Sequence, residues 1–152
     1  MNIGLVLSLA ASIAVTPLLA QTNVAKPDFT GTWTLIADKS DIGGRPAPSW
    51  VLHIKHKEPA LEITGTRDGE ELPATRVEIG GKEVTVEYTC CGTGTVKYRW
   101  EGQALLSEFR WSNGVQKDVR TLSPDGKTMT EVRTISEGGG DDRVLKLVFG
   151  RQ

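Results

Sequence analysis

The chain is short of the residues that most often carry chemistry: its 152 residues include two Cys, two His and two Met. Two cysteines cannot build a disulfide scaffold, so a hydrophobic core has to hold the fold together. The two histidines, His53 and His56, are three apart on a predicted strand. Residues at that spacing point to opposite faces, so the pair cannot grip one metal ion, and the chain has no third histidine. Neither sign of charge is in excess, with 18 Lys+Arg against 19 Asp+Glu. That balance supplies no electrostatic reason to bind nucleic acid or an anionic membrane. No Gly-x-Ser-x-Gly elbow, His-Glu-x-x-His pair, phosphate loop or dinucleotide fingerprint occurs. The acidic doublets Glu70-Glu71 and Asp141-Asp142 diverge if they lie on strands, and read as solvated turn charges. No catalytic residue, cofactor or metal site is therefore assigned.

Long apolar runs are also missing, with one exception at the N-terminus. Ile3 to Ala20 holds no charged residue, and Pro17 and the small Ala20 close it. This reads as a signal peptide over residues 1–20, cut at Ala20-Gln21, and implies a protein exported to the periplasm or secreted. The competing reading is an uncleaved anchor. Pro17 and the small residues Ala10, Ala11, Ser12 and Ala14 speak against it, because a spanning helix needs about twenty strongly apolar residues. Residues 21–27 read as a linker and 28–152 as one domain. With no second run of spanning length, no membrane span is expected in the mature form. About 130 residues is enough for a domain that buries roughly two thirds of its unfolded surface.

What the domain does have is a regular β rhythm. Glycine-bearing turn signals stand at Asp68-Gly69, Gly80-Gly81, Cys91-Gly92, Glu101-Gly102, Asn113-Gly114, Asp125-Gly126 and Gly138-Gly139-Gly140. Tight hairpins need positive φ, which glycine supplies most readily. Between the turns apolar residues alternate with polar ones. Val84, Val86 and Tyr88 share one parity, as do Val96, Tyr98 and Trp100, then Leu105, Phe109 and Trp111, then Leu145, Leu147 and Phe149. A period of two with one wet face means antiparallel strands over a single core. The pattern predicts an all-β chain of ten strands, near 31–37, 50–57, 60–67, 74–79, 82–89, 95–101, 104–111, 116–122, 127–136 and 143–150. Short hairpins favour an up-and-down meander closed into a barrel, because closure removes exposed edges. A two-sheet sandwich is the alternative. By parity Glu87, Lys97, Arg99, Glu108, Arg110, Glu131 and Arg133 are all expected on the outer face.

The segment Asp28-Phe29-Thr30-Gly31-Thr32-Trp33 places Gly-x-Trp at the start of the first strand. This resembles the opening of lipocalins and, more closely, of fatty-acid-binding proteins. The later Ala37-Asp38-Lys39-Ser40-Asp41, Trp100-Glu101-Gly102 and Ser123-Pro124-Asp125-Gly126-Lys127 are similar to exported bacterial lipocalin-like proteins of unsettled function. The resemblance implies that Trp33 plugs one end of a barrel while Gly31 lets the backbone pass close to it. Fatty-acid-binding proteins commonly carry Arg-x-Tyr on the last strand to hold a carboxylate. Here the matching stretch is Leu147-Val148-Phe149, and no counterpart of their two-helix lid exists between Asp38 and Ser49.

Two constellations stand out. Cys90-Cys91 sit at a predicted hairpin tip, where they could close a disulfide with each other; free thiols, pairing between molecules and a metal site are the other readings. The aromatic set Trp33, Tyr88, Tyr98, Trp100, Phe109 and Trp111 falls on the predicted inner side. It either lines a ligand cavity or packs a solid core. With the hydroxyls of Ser107, Tyr88 and Tyr98 beside it, a cavity would suit a small neutral apolar ligand. The sequence thus points to a non-catalytic extracytoplasmic protein carrying or sensing such a molecule. The alternative is an interaction domain with a filled barrel, and an enzyme is a distant third.

Overall fold

The computed structural model describes residues 24–152. The expected signal peptide and the first residues of the linker lie outside that range. The ten strands are β1 Gly31–Leu35, β2 Trp50–Lys57, β3 Ala60–Arg67, β4 Glu70–Glu78, β5 Val84–Tyr88, β6 Gly92–Glu101, β7 Ala104–Trp111, β8 Gly114–Leu122, β9 Thr128–Glu137 and β10 Arg143–Arg151. They form one antiparallel sheet in the order β4-β3-β2-β1-β10-β9-β8-β7-β6-β5. The chain therefore runs up and down, and β1 pairs with β10 to bend the sheet into a barrel. Closure stops one step short. β4 and β5 end the sheet and do not pair with each other.

β2, β3 and β7 begin and end where the alternation put them. β4 differs, starting at Glu70 rather than at residue 74. Its register slips between Ile63 and Gly65 of the neighbouring strand, so Pro73 and Ala74 together oppose Thr64. Proline cannot donate to a ladder and is tolerated at such a bulge on an edge strand. Pro73 on β4 and the charges at Glu70, Glu71 and Glu87 also guard the two unpaired edges against pairing with another chain.

Most of the glycine signals are the turns they promised. Asp68 and Gly69 take φ of 52° and 84°, the positive pair that a two-residue hairpin requires. Gly114 is different, because its role is room. A Cβ there would lie 2.4 Å from the Trp111 ring and 2.6 Å from the Ser136 carbonyl oxygen.

The register separates the barrel into two ends. The β2–β3, β4–β5, β6–β7 and β8–β9 connections meet at one end, together with Phe29 and the C-terminus. This end is solid. Phe29, Trp33, Leu105, Met129, Leu147 and Phe149 are completely or almost completely buried there. Trp33 plugs it: its Nε1 donates to the Phe29 carbonyl (2.9 Å), and the Arg151 guanidinium lies over its ring at 4.5 Å. Gly31 takes φ of 147°, which L side chains rarely adopt, as the chain turns past the plug. His56 seals the same end. Its Nδ1 accepts the Phe29 N–H (3.3 Å), so Nε2 donates to Glu58 (2.9 Å), which also accepts the Trp100 indole N–H (2.8 Å). His53 lies on the other face of β2 against Thr32.

Candidate ligand-binding cavity

The opposite end is hollow. A cavity of about 420 Å³ lies within it, inside the usual range of roughly 300–1,000 Å³ for small-molecule sites. One wall is apolar, built by inward residues of β2, β3 and β4: Trp50, Leu52, Ile63 and Leu72. The facing wall is polar, built by Tyr88, Tyr98, Gln116, Asp118 and Arg120 from β5, β6 and β8, with Glu131 and Arg133 from β9. The cavity reaches the gap between β4 and β5, where Thr75 and Tyr88 face each other.

Two of the six aromatic candidates, Tyr88 and Tyr98, line this space. The other four are elsewhere, for packing reasons. Trp33 is the plug of the solid end, and Trp100 stands beside Phe29 and His56 at ring distances of 6.1 and 5.9 Å. Phe109 and Trp111 continue a stack that starts at Tyr88, with centroids 4.1 Å and then 5.2 Å apart. They buttress Tyr88 from behind and do not line the cavity. Gly94 makes this stack possible, since a Cβ there would fall 2.4 Å from the Phe109 ring.

The alternation misplaced Glu131 and Arg133. They point inward, with 1% and 14% of their side chains exposed. Two apolar members of their hairpin point outward instead: Val119 and Val132 are directly paired and are 37% and 40% exposed, while Met129, on the same face as Glu131, stays buried. The cause is a buried ring of four charges. Arg120 binds Glu131 (2.6 Å) and Asp118 (3.4 Å), while Arg133 binds Asp118 (2.9 Å) and Glu131. The antiparallel register sets Arg120 opposite Glu131 and Asp118 opposite Arg133, so each cation faces an anion across the ladder. Ser107 and Gln116 also donate to Asp118, at 3.3 and 2.9 Å. Burial by itself would lower the arginine pKa values. Glu131 and Asp118 outweigh it, so both guanidinium groups are held more firmly charged than usual. Burial also pushes the Tyr88 phenol well above its ordinary value, with Tyr98 and Asp118 adding to the rise. Tyr88 is thus a neutral hydroxyl in this wall.

Cys90 and Cys91 are bonded to each other in the turn between β5 and β6, and Cys90 belongs to the cavity rim.

No protein-family model matches the chain, and no curated protein matches its sequence. Solved structures do match its backbone. A fatty-acid-binding protein 1 from Echinococcus granulosus superposes with a TM-score of 0.65 at 12% identity, covering 81% of this chain and 96% of that one. Human cRBP IV superposes at 0.61 and 14% identity, covering 83% and 99%, and the REP1-NXSQ fatty acid transporter at 0.61 and 14%, covering 81% and 95%. The fold is that of the fatty-acid-binding proteins. At these identities the likeness fixes the barrel and its strand order and carries no residue roles. The charge ring and the adjacent cysteines have to be read from this chain alone.

Proposed function

We propose that this protein is an exported, non-catalytic binding protein that holds a small apolar molecule in the hollow half of its barrel. The observation that carries the reading is the cavity itself: about 420 Å³ that opens at one end of the barrel, with an apolar wall of Trp50, Leu52, Ile63 and Leu72. The barrel is shared with structures named as a fatty-acid-binding protein and a fatty acid transporter, which supports a carrier or sensor role. Export is supported by the uncharged leader of residues 1–20 and by the bonded cysteine pair, since disulfides persist in oxidising compartments. The absence of catalysis is supported by the pairing of the buried ionisable groups. Asp118, Glu131, Arg120 and Arg133 neutralise one another, which leaves none poised as an acid or base.

Native mass spectrometry of protein recovered from its own host tests both parts. The expected spectrum shows a chain starting near Gln21, with a small molecule retained. An environment-sensitive hydrophobic dye is expected to bind near one equivalent, quench tryptophan emission and change affinity on Tyr98→Ala. No dye uptake, together with severe destabilisation by Tyr98→Ala, would replace this reading with a filled barrel that works through its outer face.

A further inference from the structure

We infer that the ligand of this cavity is uncharged, with a polar end that accepts a hydrogen bond, such as a hydroxyl, carbonyl or ether oxygen, and that a carboxylate is selected against. The inference rests on the reading that the cavity holds an apolar molecule, and adds the chemistry of its polar end.

Three separate features of the site lead there. The first is the state of its arginines. Arg120 and Arg133 would be natural partners for an anionic head group, but each is already held by both Asp118 and Glu131. The ring has no net charge. An incoming carboxylate would have to take an arginine from one of these anions, leaving that anion buried and uncompensated. The second feature is the mouth. Asp68, Glu70 and Glu71 at the β3–β4 hairpin and Glu87 on β5 border the cavity, against one rim guanidinium, Arg67. Arg67 itself is drawn over the Trp50 ring at 5.0 Å. An anion therefore meets a repulsive entrance as well as an interior with no spare positive charge. The third feature is a donor. Trp50 belongs to the cavity wall, and its buried Nε1 has no hydrogen-bond partner among the described residues; Arg120 Nε in the same wall also has none, but it is already charge-paired with Glu131 at 2.6 Å. A buried N–H without an acceptor is costly, and a neutral oxygen satisfies it without disturbing the charge ring.

Dye displacement from the full mature chain by decanol, decanoate and decylamine at neutral pH tests the inference. Apolar length is constant across the series, so differences report the head group. Decanol is expected to displace the dye with a midpoint at least about tenfold below that of decanoate, because 1.4 kcal/mol of head-group discrimination corresponds to tenfold. Added salt should narrow the gap by screening the mouth. A triple variant, Glu70→Gln, Glu71→Gln and Glu87→Gln, should narrow it by about threefold or more, by strengthening decanoate relative to decanol. These exposed edge-strand positions lie outside the core, so the variant should fold. Trp50→Phe keeps an aromatic ring in the wall but removes the donor, and should weaken decanol more than decanoate. Decanoate binding as tightly as decanol overturns the inference, and decylamine binding tenfold more tightly than decanol overturns it in favour of a cationic head. A bound dye that none of the three displaces overturns the head-group assignment and leaves the binding cavity standing. Failure of the dye and all three probes to bind removes the cavity reading itself, and this inference with it.

Discussion

Glu131→Gln is the most direct perturbation of the buried charge ring. The Glu131 side chain is 1% exposed; one of its oxygens is ion-paired with Arg120 Nε at 2.6 Å, and the other accepts from Arg133 Nη2. Glutamine preserves the shape and one acceptor, but turns an NH2 towards a guanidinium N–H. It also leaves the ring with one net positive charge. Two unit charges about 4 Å apart attract by about 4 kcal/mol at an effective dielectric near 20. Desolvation offsets part of this in the intact ring, and the variant keeps the desolvation while losing the attraction. Breaking a buried pair on one side typically costs about 3–5 kcal/mol. For a domain of this size, that is a fall in Tm of roughly 10–20 °C. The assay is thermal and guanidinium unfolding followed by circular dichroism, for Glu131→Gln and for the cycle of Arg120→Leu, Glu131→Leu and the double variant Arg120→Leu/Glu131→Leu. Removing both partners leaves neither charge unpaired, so the double variant should be more stable than the sum of the singles by at least about 1 kcal/mol. A Glu131→Gln cost below about 1 kcal/mol, with additive singles, would show that water reaches these groups and that they do not form a buried ring.

Three other outcomes follow from the geometry. Gly94→Ala places a methyl 2.3 Å from the Arg110 carbonyl oxygen and 2.4 Å from the Phe109 ring, and should cost about 1–3 kcal/mol as overpacking, read as a lower denaturant midpoint. The raised phenol of Tyr88 stays protonated in the folded state while an unfolded tyrosine ionises near pH 10. The unfolded state thus loses its proton first, and stability should fall as pH rises above about 10, by up to about 1.4 kcal/mol per unit; Tyr88→Phe should remove that part of the alkaline slope, and an unchanged slope would refute it. Because Cys90 and Cys91 are bonded, alkylation of freshly isolated protein should label neither without reductant and both with it; full labelling without reductant would rule the bond out.

The barrel was legible because its determinants are local. A glycine turn followed by a period-two apolar face repeats along the domain, and such a pattern has few solutions once edges must be covered. β2, β3 and β7 came out to the residue, since each is bounded by turn chemistry and carries a clean inner face. β4 came out short because its first half carries no apolar alternation: Glu70 and Glu71 pair with Arg67 and Thr66 directly across the Asp68-Gly69 turn, and the strand then runs through a bulge at Pro73 that propensity argues against. Incomplete closure was not legible at all. Whether the two end strands of a meander pair depends on the tilt and stagger of the whole barrel, and no single segment carries that information.

The charged wall of the site was misread for one physical reason, and the same reason says something about the site. The alternation rule assumes that the apolar side of a strand is its buried side, and β8 and β9 break that assumption. Val119 and Val132 stand outside while Asp118, Arg120, Glu131 and Arg133 stand inside. A local signal for the inversion was present. Asp118-Val119-Arg120 and Glu131-Val132-Arg133 are two acid–x–base triplets on consecutive strands of one hairpin. Folding an antiparallel hairpin about its turn reverses one triplet, so acid meets base at both positions, and the four charges can be buried without a net charge. On a wet outer face such pairs would each be worth about 1 kcal/mol or less, and little would hold that register. Buried, they cost desolvation that a hydrophobic wall of similar volume would avoid. A barrel that had only to be stable would place the two valines inside. This hairpin places charges on the wall of its cavity and exposes its valines, which locates the demand for polarity inside the barrel, where a ligand would meet it.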